Sequence, residues 1–189
     1  MTAARLRPWI AHGAFSLILF LITAATYSSL GVVLPAMVRE LGWSWGQAGL
    51  GFTLMGAATG ASSWFPAALI RRFGLRTTLA AGSAVMVAGL LGFAHADSVA
   101  AYLIGALLCG VGFQMMALIP GTHALNLLFE RKAIPFGLYF TLGSLGSVVG
   151  PLMAEHLSGA NGADWRQYWI IQAALAAVAG LAGVLAVGR

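Results

Sequence analysis

Only 8% of these 189 residues are charged and 60% are hydrophobic, so few side chains could do chemistry. Tyr27 and Gln114 stand out inside long apolar runs, where each could donate a hydrogen bond to a carboxylate while staying uncharged. Thr23, one turn before Tyr27, and Thr141 and Ser144 further on are read as lining the same cavity. Two plainer readings stand beside this one. Tyr27 and Gln114 could tie helices together, and the hydroxyls of Thr23 and Thr26 could bond back to their own helix. His123 is the other candidate, since an imidazole titrating near about 6.5 suits proton coupling. At about 100° per residue, however, it points away from Gln114 and shares a face with Gly112, Met116 and Glu130, which favours a structural or gating role. The sequence has no paired carboxylates, metal-ligand cluster, nucleophile elbow or phosphate loop, so neither an enzyme nor a cofactor is indicated.

The elements that position these residues must be helices in lipid. Mean hydropathy is +0.88, the alternating pattern of a barrel strand is absent, and a hydrocarbon layer of about 30 Å takes roughly 20 residues of helix to cross. Six spans are expected, at about 12–34, 47–69, 77–94, 99–128, 133–153 and 168–187, the first ending near Pro35. The fold class is thus an all-α membrane protein, a single six-helix bundle over 1–189. Trp43 and Trp45 suit a membrane interface, Cys109 is read as packing, and the third and sixth spans are bland apart from Gln172. The net charge of +5 lies in basic residues between apolar runs, which speaks for orientation and against nucleic acid. Arg5, Arg7, Arg71, Arg72, Arg76, Arg131, Lys132 and Arg189 fall on one side and only Arg39 and Arg166 on the other, so both termini are expected in the cytoplasm. Arg5 and Arg7 precede a run long enough to stay in the bilayer, unlike a cleaved signal peptide.

The fifth span opens on Glu130, Arg131 and Lys132, where the chain passes from water into hydrocarbon. Within it Tyr139, Gly143, Gly146 and Gly150 stack on one face almost free of side-chain bulk, and Pro151 is expected to bend the far end. Such a face serves a sliding contact or a tight helix pair. A similar line in the second span runs through Gly49, Gly56, Gly60 and Ser63.

An internal repeat ties the spans together. Gly49-Leu50-Gly51-Phe52-Thr53-Leu54 and Gly137-Leu138-Tyr139-Phe140-Thr141-Leu142 agree at five of six places, and Leu34-Pro35 is echoed by Ile119-Pro120. The chain reads as two three-helix units, about 10–95 and about 98–188. Three is odd, so the second inserts from the opposite side as an inverted 3+3 repeat.

These features resemble the N-terminal six-helix half of a major facilitator superfamily transporter, over essentially all six spans. The family's loop between its second and third helices reads Gly-x-x-x-Asp-Arg-x-Gly-Arg-Arg. Here Arg72, Gly74 and Arg76 match, while Ala67, Arg71 and Leu75 depart from it. The resemblance implies that the family's aspartate-based lock is weakened or rebuilt, and Glu130 is the candidate to pair with Arg72 or Arg76. Phe129-Glu130-Arg131-Lys132 with Gly137, Gly143, Gly146 and Gly150-Pro151 resembles the fifth helix of the monocarboxylate and oxalate/formate branch. Trp165-Arg166 is similar to the start of its sixth. That branch implies small organic anions, moved with protons or exchanged. Its members generally hold their anion-pairing basic residues in the second half and some also carry a lysine in the first helix, whereas Ser28 and Ser29 stand at that level here.

The resemblance further implies a half-size secondary active transporter in the cell membrane, of the bacterial inner-membrane kind, working by alternating access. One six-helix bundle would leave its polar stripe facing lipid. A second six-helix half is therefore expected as partner, either a separate chain or another copy in a homodimer, besides a small-molecule solute and membrane lipid. A fragment of a twelve-helix transporter, or a non-transporting scaffold or regulatory subunit, are the competing readings.

Overall fold

The computed structural model describes residues 3–159 and 162–187, with side chains from residue 7 onward. Arg189 and the side chain of Arg5, used above for orientation, lie outside the described residues. The described residues form helices and turns only. In order, they are α1 (Ala3–Thr23), a π turn (Ala24–Ser28), α2 (Ser29–Leu41), α3 (Trp45–Ala61) and α4 (Trp64–Ala94). Then come α5 (Val99–Gly112), a second π turn (Phe113–Leu118), α6 (Ile119–Leu128), α7 (Ala133–Leu157) and α8 (Trp165–Val187).

Among the described residues, five helical stretches are long and apolar enough to cross a membrane: Arg7–Leu41, Trp64–Ala94, Val99–Leu128, Ala133–Leu157 and Trp165–Val187. The expected fourth span matches its bounds, and the fifth and sixth extend by a few residues. The expected second span does not form as one rod. Its helix stops at Ser62 and Ser63, leaving α3 with 17 residues, or about 25 Å at 1.5 Å per residue.

Local sequence explains most of the boundaries. The Ser44 hydroxyl accepts from the Gln47 amide at 3.2 Å while Gln47 Oε1 accepts from the Ser44 amide at 2.9 Å, a reciprocal cap that starts α3. Ser98 caps α5 by accepting from the Ala101 amide. Within α4 the chain reverses at Gly74, whose φ of 84° and ψ of 163° fall where only glycine sits without strain.

The stop expected near Pro35 is absent: Pro35, like Pro151, lies inside a helix, and these helices run on to Leu41 and Leu157. A proline deletes one backbone donor and leaves one carbonyl free, a defect that neighbouring side chains can make good inside a packed bundle. The Ser29 hydroxyl donates to the Gly150 carbonyl at 3.0 Å, which ties α2 to α7 just before Pro151.

Contacts fix the directions of the helices. His12 meets Pro135, Leu19 meets Gly143 and Ala24 meets Gly150, so the first and fifth rods run parallel. Ala48 meets Tyr102 and Met55 meets Gly110, so α3 and α5 also run parallel. The second half of α4 packs antiparallel on α5, with Gly89 against Cys109 and Gly82 against Met115, and antiparallel on α8, with Leu79 against Gly183 and Phe93 against Trp169. One end of the bundle thus gathers Glu40, Asp97 and Arg166. The other gathers Trp9, His12, Phe129 and the Gly74 reversal.

Candidate functional site

Tyr27 and Gln114 both sit in π turns, one in each of the two longest interrupted rods. A π turn wedges an extra residue into the helix and re-aims its neighbours, and such turns concentrate at functional sites. Both side chains point into the bundle and converge on Thr59 of α3. The Tyr27 hydroxyl lies 2.6 Å from Thr59 Oγ1, which in turn donates to the Met55 carbonyl at 2.8 Å and reaches the Gly110 carbonyl at 3.2 Å. Gln114 Nε2 donates to the Thr59 carbonyl at 2.9 Å. The first, second and fourth rods are therefore stitched at one level. Gln114 is only 5% exposed, and its Oε1 has no hydrogen-bond partner among the described residues. As built, the free group is an acceptor, and the donors expected to meet a carboxylate are engaged within the protein.

Beside this knot lies a cavity of about 170 Å³ lined by Thr23, Ser144 and Ser147, with Phe113, Phe140 and Leu19 among its mostly apolar walls. Phe113 joins the two places, because its ring also meets Tyr27 edge-on at 5.7 Å. The structure thus brings Thr23 and Ser144 together, and Tyr27 and Gln114 together, on adjoining surfaces. Thr141 is exposed on α7 outside the cavity lining. Thr26 instead donates to the Ile22 carbonyl of its own helix at 2.7 Å, the plainer of the two readings.

His123 is half-buried and has no hydrogen bond to Gln114. Glu130, Arg72 and Arg76 are exposed, and Glu130 makes no ion pair with either arginine among the described residues. The pairing expected at that end is absent because each charge keeps its water, and such exposed pairs are worth only about 0–1 kcal/mol. Gly74 supplies the reversal described above. Gly143, Gly146 and Gly150 are buried against Leu19, Phe20 and Ala24, where any β-carbon would collide with α1 or its π turn. That face makes a tight helix pair, and Pro151 follows it as part of the same continuous helix. By contrast, a β-carbon at Gly49, Gly56 or Gly60 would meet nothing within 4 Å.

Thr59, Ser147 and His12 were missed from the sequence. Thr59 has the most ordinary of side chains for a membrane helix and gains its role from what converges on it. Ser147 could have been found, since it lies three residues beyond Ser144 on the same helical face. His12 is buried, bonded through Nε2 to the Pro135 carbonyl at 2.9 Å, with Trp9 and Phe129 rings around it. At the opposite end Arg166 pairs with Glu40 at 3.1 Å and Asp97 at 3.3 Å, while Trp165 Nε1 donates to Glu40 at 2.6 Å. This clasp joins the ends of α2, α4 and α8.

Among known proteins, an uncharacterized protein of Campylobacter jejuni is 27% identical to this chain over 149 residues, which are 78% of this chain and 46% of that protein. The chain thus spans about half the length of that curated relative. The pattern of the Major Facilitator Superfamily matches residues 16–189, and the chain belongs to this superfamily of membrane transporters.

Proposed function

We propose that the chain forms one half of a secondary active transporter that moves a small organic solute, an organic anion such as a mono- or dicarboxylate, by alternating access. A second six-helix half, a separate chain or a second copy, closes the pathway. Solute movement is coupled to protons or to a counter-solute. Both termini face the cytoplasm, and the chain lies in the cell membrane with six crossings, α3 and the first turns of α4 making the second.

The observation that carries this reading is the convergence of Tyr27 and Gln114, each on its own π turn, beside the cavity that Thr23, Ser144 and Ser147 help to line. Helices bent or bulged at mid-depth around polar groups are what a solute pathway in lipid requires. Two further features support the missing half. Thr141, Ser144 and Ser147 are exposed on α7 and the Gly49, Gly56 and Gly60 face of α3 is unpacked, so both elements present surfaces unsuited to lipid alone. The helix directions also support the inverted repeat of units 10–95 and 98–188. Exchanging first for fourth and second for fifth turns the parallel pair of first and fifth rods into that of fourth and second.

Uptake of radiolabelled formate, oxalate and lactate into reconstituted vesicles tests the proposal. Saturable uptake that falls at least about tenfold in Tyr27→Phe, as loss of a pathway hydrogen bond worth roughly 1.4 kcal/mol would produce, is expected. Unchanged uptake in that variant overturns the assignment of Tyr27.

A further inference from the structure

The sixth rod, bland by composition, holds a cluster of buried donors that nothing receives. Tyr168 and Trp169 are 0% exposed and Gln172 is 2% exposed, yet the Tyr168 hydroxyl, Trp169 Nε1 and Gln172 Nε2 have no hydrogen-bond partner among the described residues. They occupy neighbouring turns of α8, with Tyr168 and Gln172 one turn apart and the Tyr168 and Trp169 ring centroids 5.0 Å apart. Ser29 of α2 and Gln172 both lie close enough to act on the Tyr168 hydroxyl but without the geometry of a direct bond, and the Ser29 hydroxyl hydrogen is spent on the Ala24 and Gly150 carbonyls. The Phe93 ring closes the far side against Trp169 at 4.9 Å. Leaving several donors unpaired in one dry place is strongly disfavoured, most of all inside lipid where no solvent can relieve them.

Room for water lies near this place. Between the ends of α2 and α7 lies a cavity of about 280 Å³, lined by Val32, Ala36, Arg39, Glu155 and Ser158 among others. Ser29, Val32 and Ala36 descend one face of α2, and Gly150, Ala154 and Ser158 descend one face of α7, so the cavity stands about two turns, roughly 10 Å, from the donors. At about 30 Å³ per molecule the cavity has room for several waters.

We propose that Tyr168, Gln172 and Trp169, together with Ser29, form an internal water-binding site joining the first, fifth and sixth rods, filled from the cavity between α2 and α7. Water fits where another side chain does not, because it accepts from the stranded donors and donates back to the lone pairs of Ser29 and Tyr168. The site is independent of the transported solute. It makes the contact of α8 with α1, α2 and α7 wet, whereas the glycine contact of α7 with α1 is dry.

Radiolytic hydroxyl-radical labelling of the purified protein, read by mass spectrometry, tests this, since radicals born from bound water mark the side chains beside it. Tyr102 and Tyr139 are the controls. They are equally buried, but their hydroxyls donate to the Ala48 carbonyl at 2.8 Å and the Ala117 carbonyl at 2.9 Å. Tyr168 is expected to be labelled several-fold faster than either, and Gln172→Leu is expected to slow that labelling. Labelling of Tyr168 no faster than Tyr102 and Tyr139 overturns the site, as does unchanged labelling in a folded Gln172→Leu protein. If the variant does not fold, the comparison within the native protein decides.

Discussion

Thr59 receives Tyr27 and Gln114 with two different atoms, its hydroxyl and its carbonyl, so a residue of no distinction in the sequence holds three rods in register. His123 stands apart from that knot. The account expects His123→Gln to retain pH-dependent uptake, and loss of the dependence with transport otherwise intact would restore it as a proton carrier. The charged clasp makes a sharper demand. Glu40 serves both Trp165 and Arg166, whereas Asp97 meets only Arg166 and its side chain is 85% exposed. Glu40→Gln should therefore lower the melting temperature by the equivalent of about 1 kcal/mol, and Asp97→Asn by much less. Equal effects in a thermal shift assay would contradict this geometry. Polarity at Tyr27 and Gln114 was legible because such residues are rare in apolar runs. The clasp was not, because Glu40, Asp97 and Arg166 are far apart in sequence and sit at helix ends or in a loop, where charge is ordinary.

At the scale of elements, hydropathy was enough to place the rods from Val99 onward, since long apolar runs there are bounded by charge or by a serine cap. It failed in two ways. Proline was overweighted at Pro35, because a packed bundle tolerates the one backbone donor that a proline deletes, and the helix runs on to Leu41. The break at Ser62 and Ser63 went unseen because serine is compatible with a membrane helix. Glycine means different things at different places along these elements. Gly74→Ala puts a β-carbon in a backbone region reserved for glycine and should cost about 1–3 kcal/mol. Gly56→Ala lies in open helical surface and should leave stability unchanged or raise it by about 0.5–1 kcal/mol. Unfolding curves in detergent separate the two, and equal destabilisation would count against the reversal at Gly74.

Taken whole, the molecule is a bundle whose polar knot and adjoining cavity lie among the first, second, fourth and fifth rods, while the third and sixth pack on each other behind them. The chain belongs to a superfamily of membrane transporters, and under the proposed function its working surface is the face carrying α3 and α7. On that account Ser144 and Ser147 look onto water, while Val178 and Leu181, exposed on α8, look onto hydrocarbon. Single cysteines at these four positions, in a Cys109→Ala background within native membranes, distinguish the two surroundings directly. The measurement is reaction with a charged, membrane-impermeant thiol reagent. The account predicts fast labelling at 144 and 147 and none at 178 and 181; labelling at 144 and 147 as slow as at 178 and 181 would mean that lipid covers the cavity and that no solute passes there.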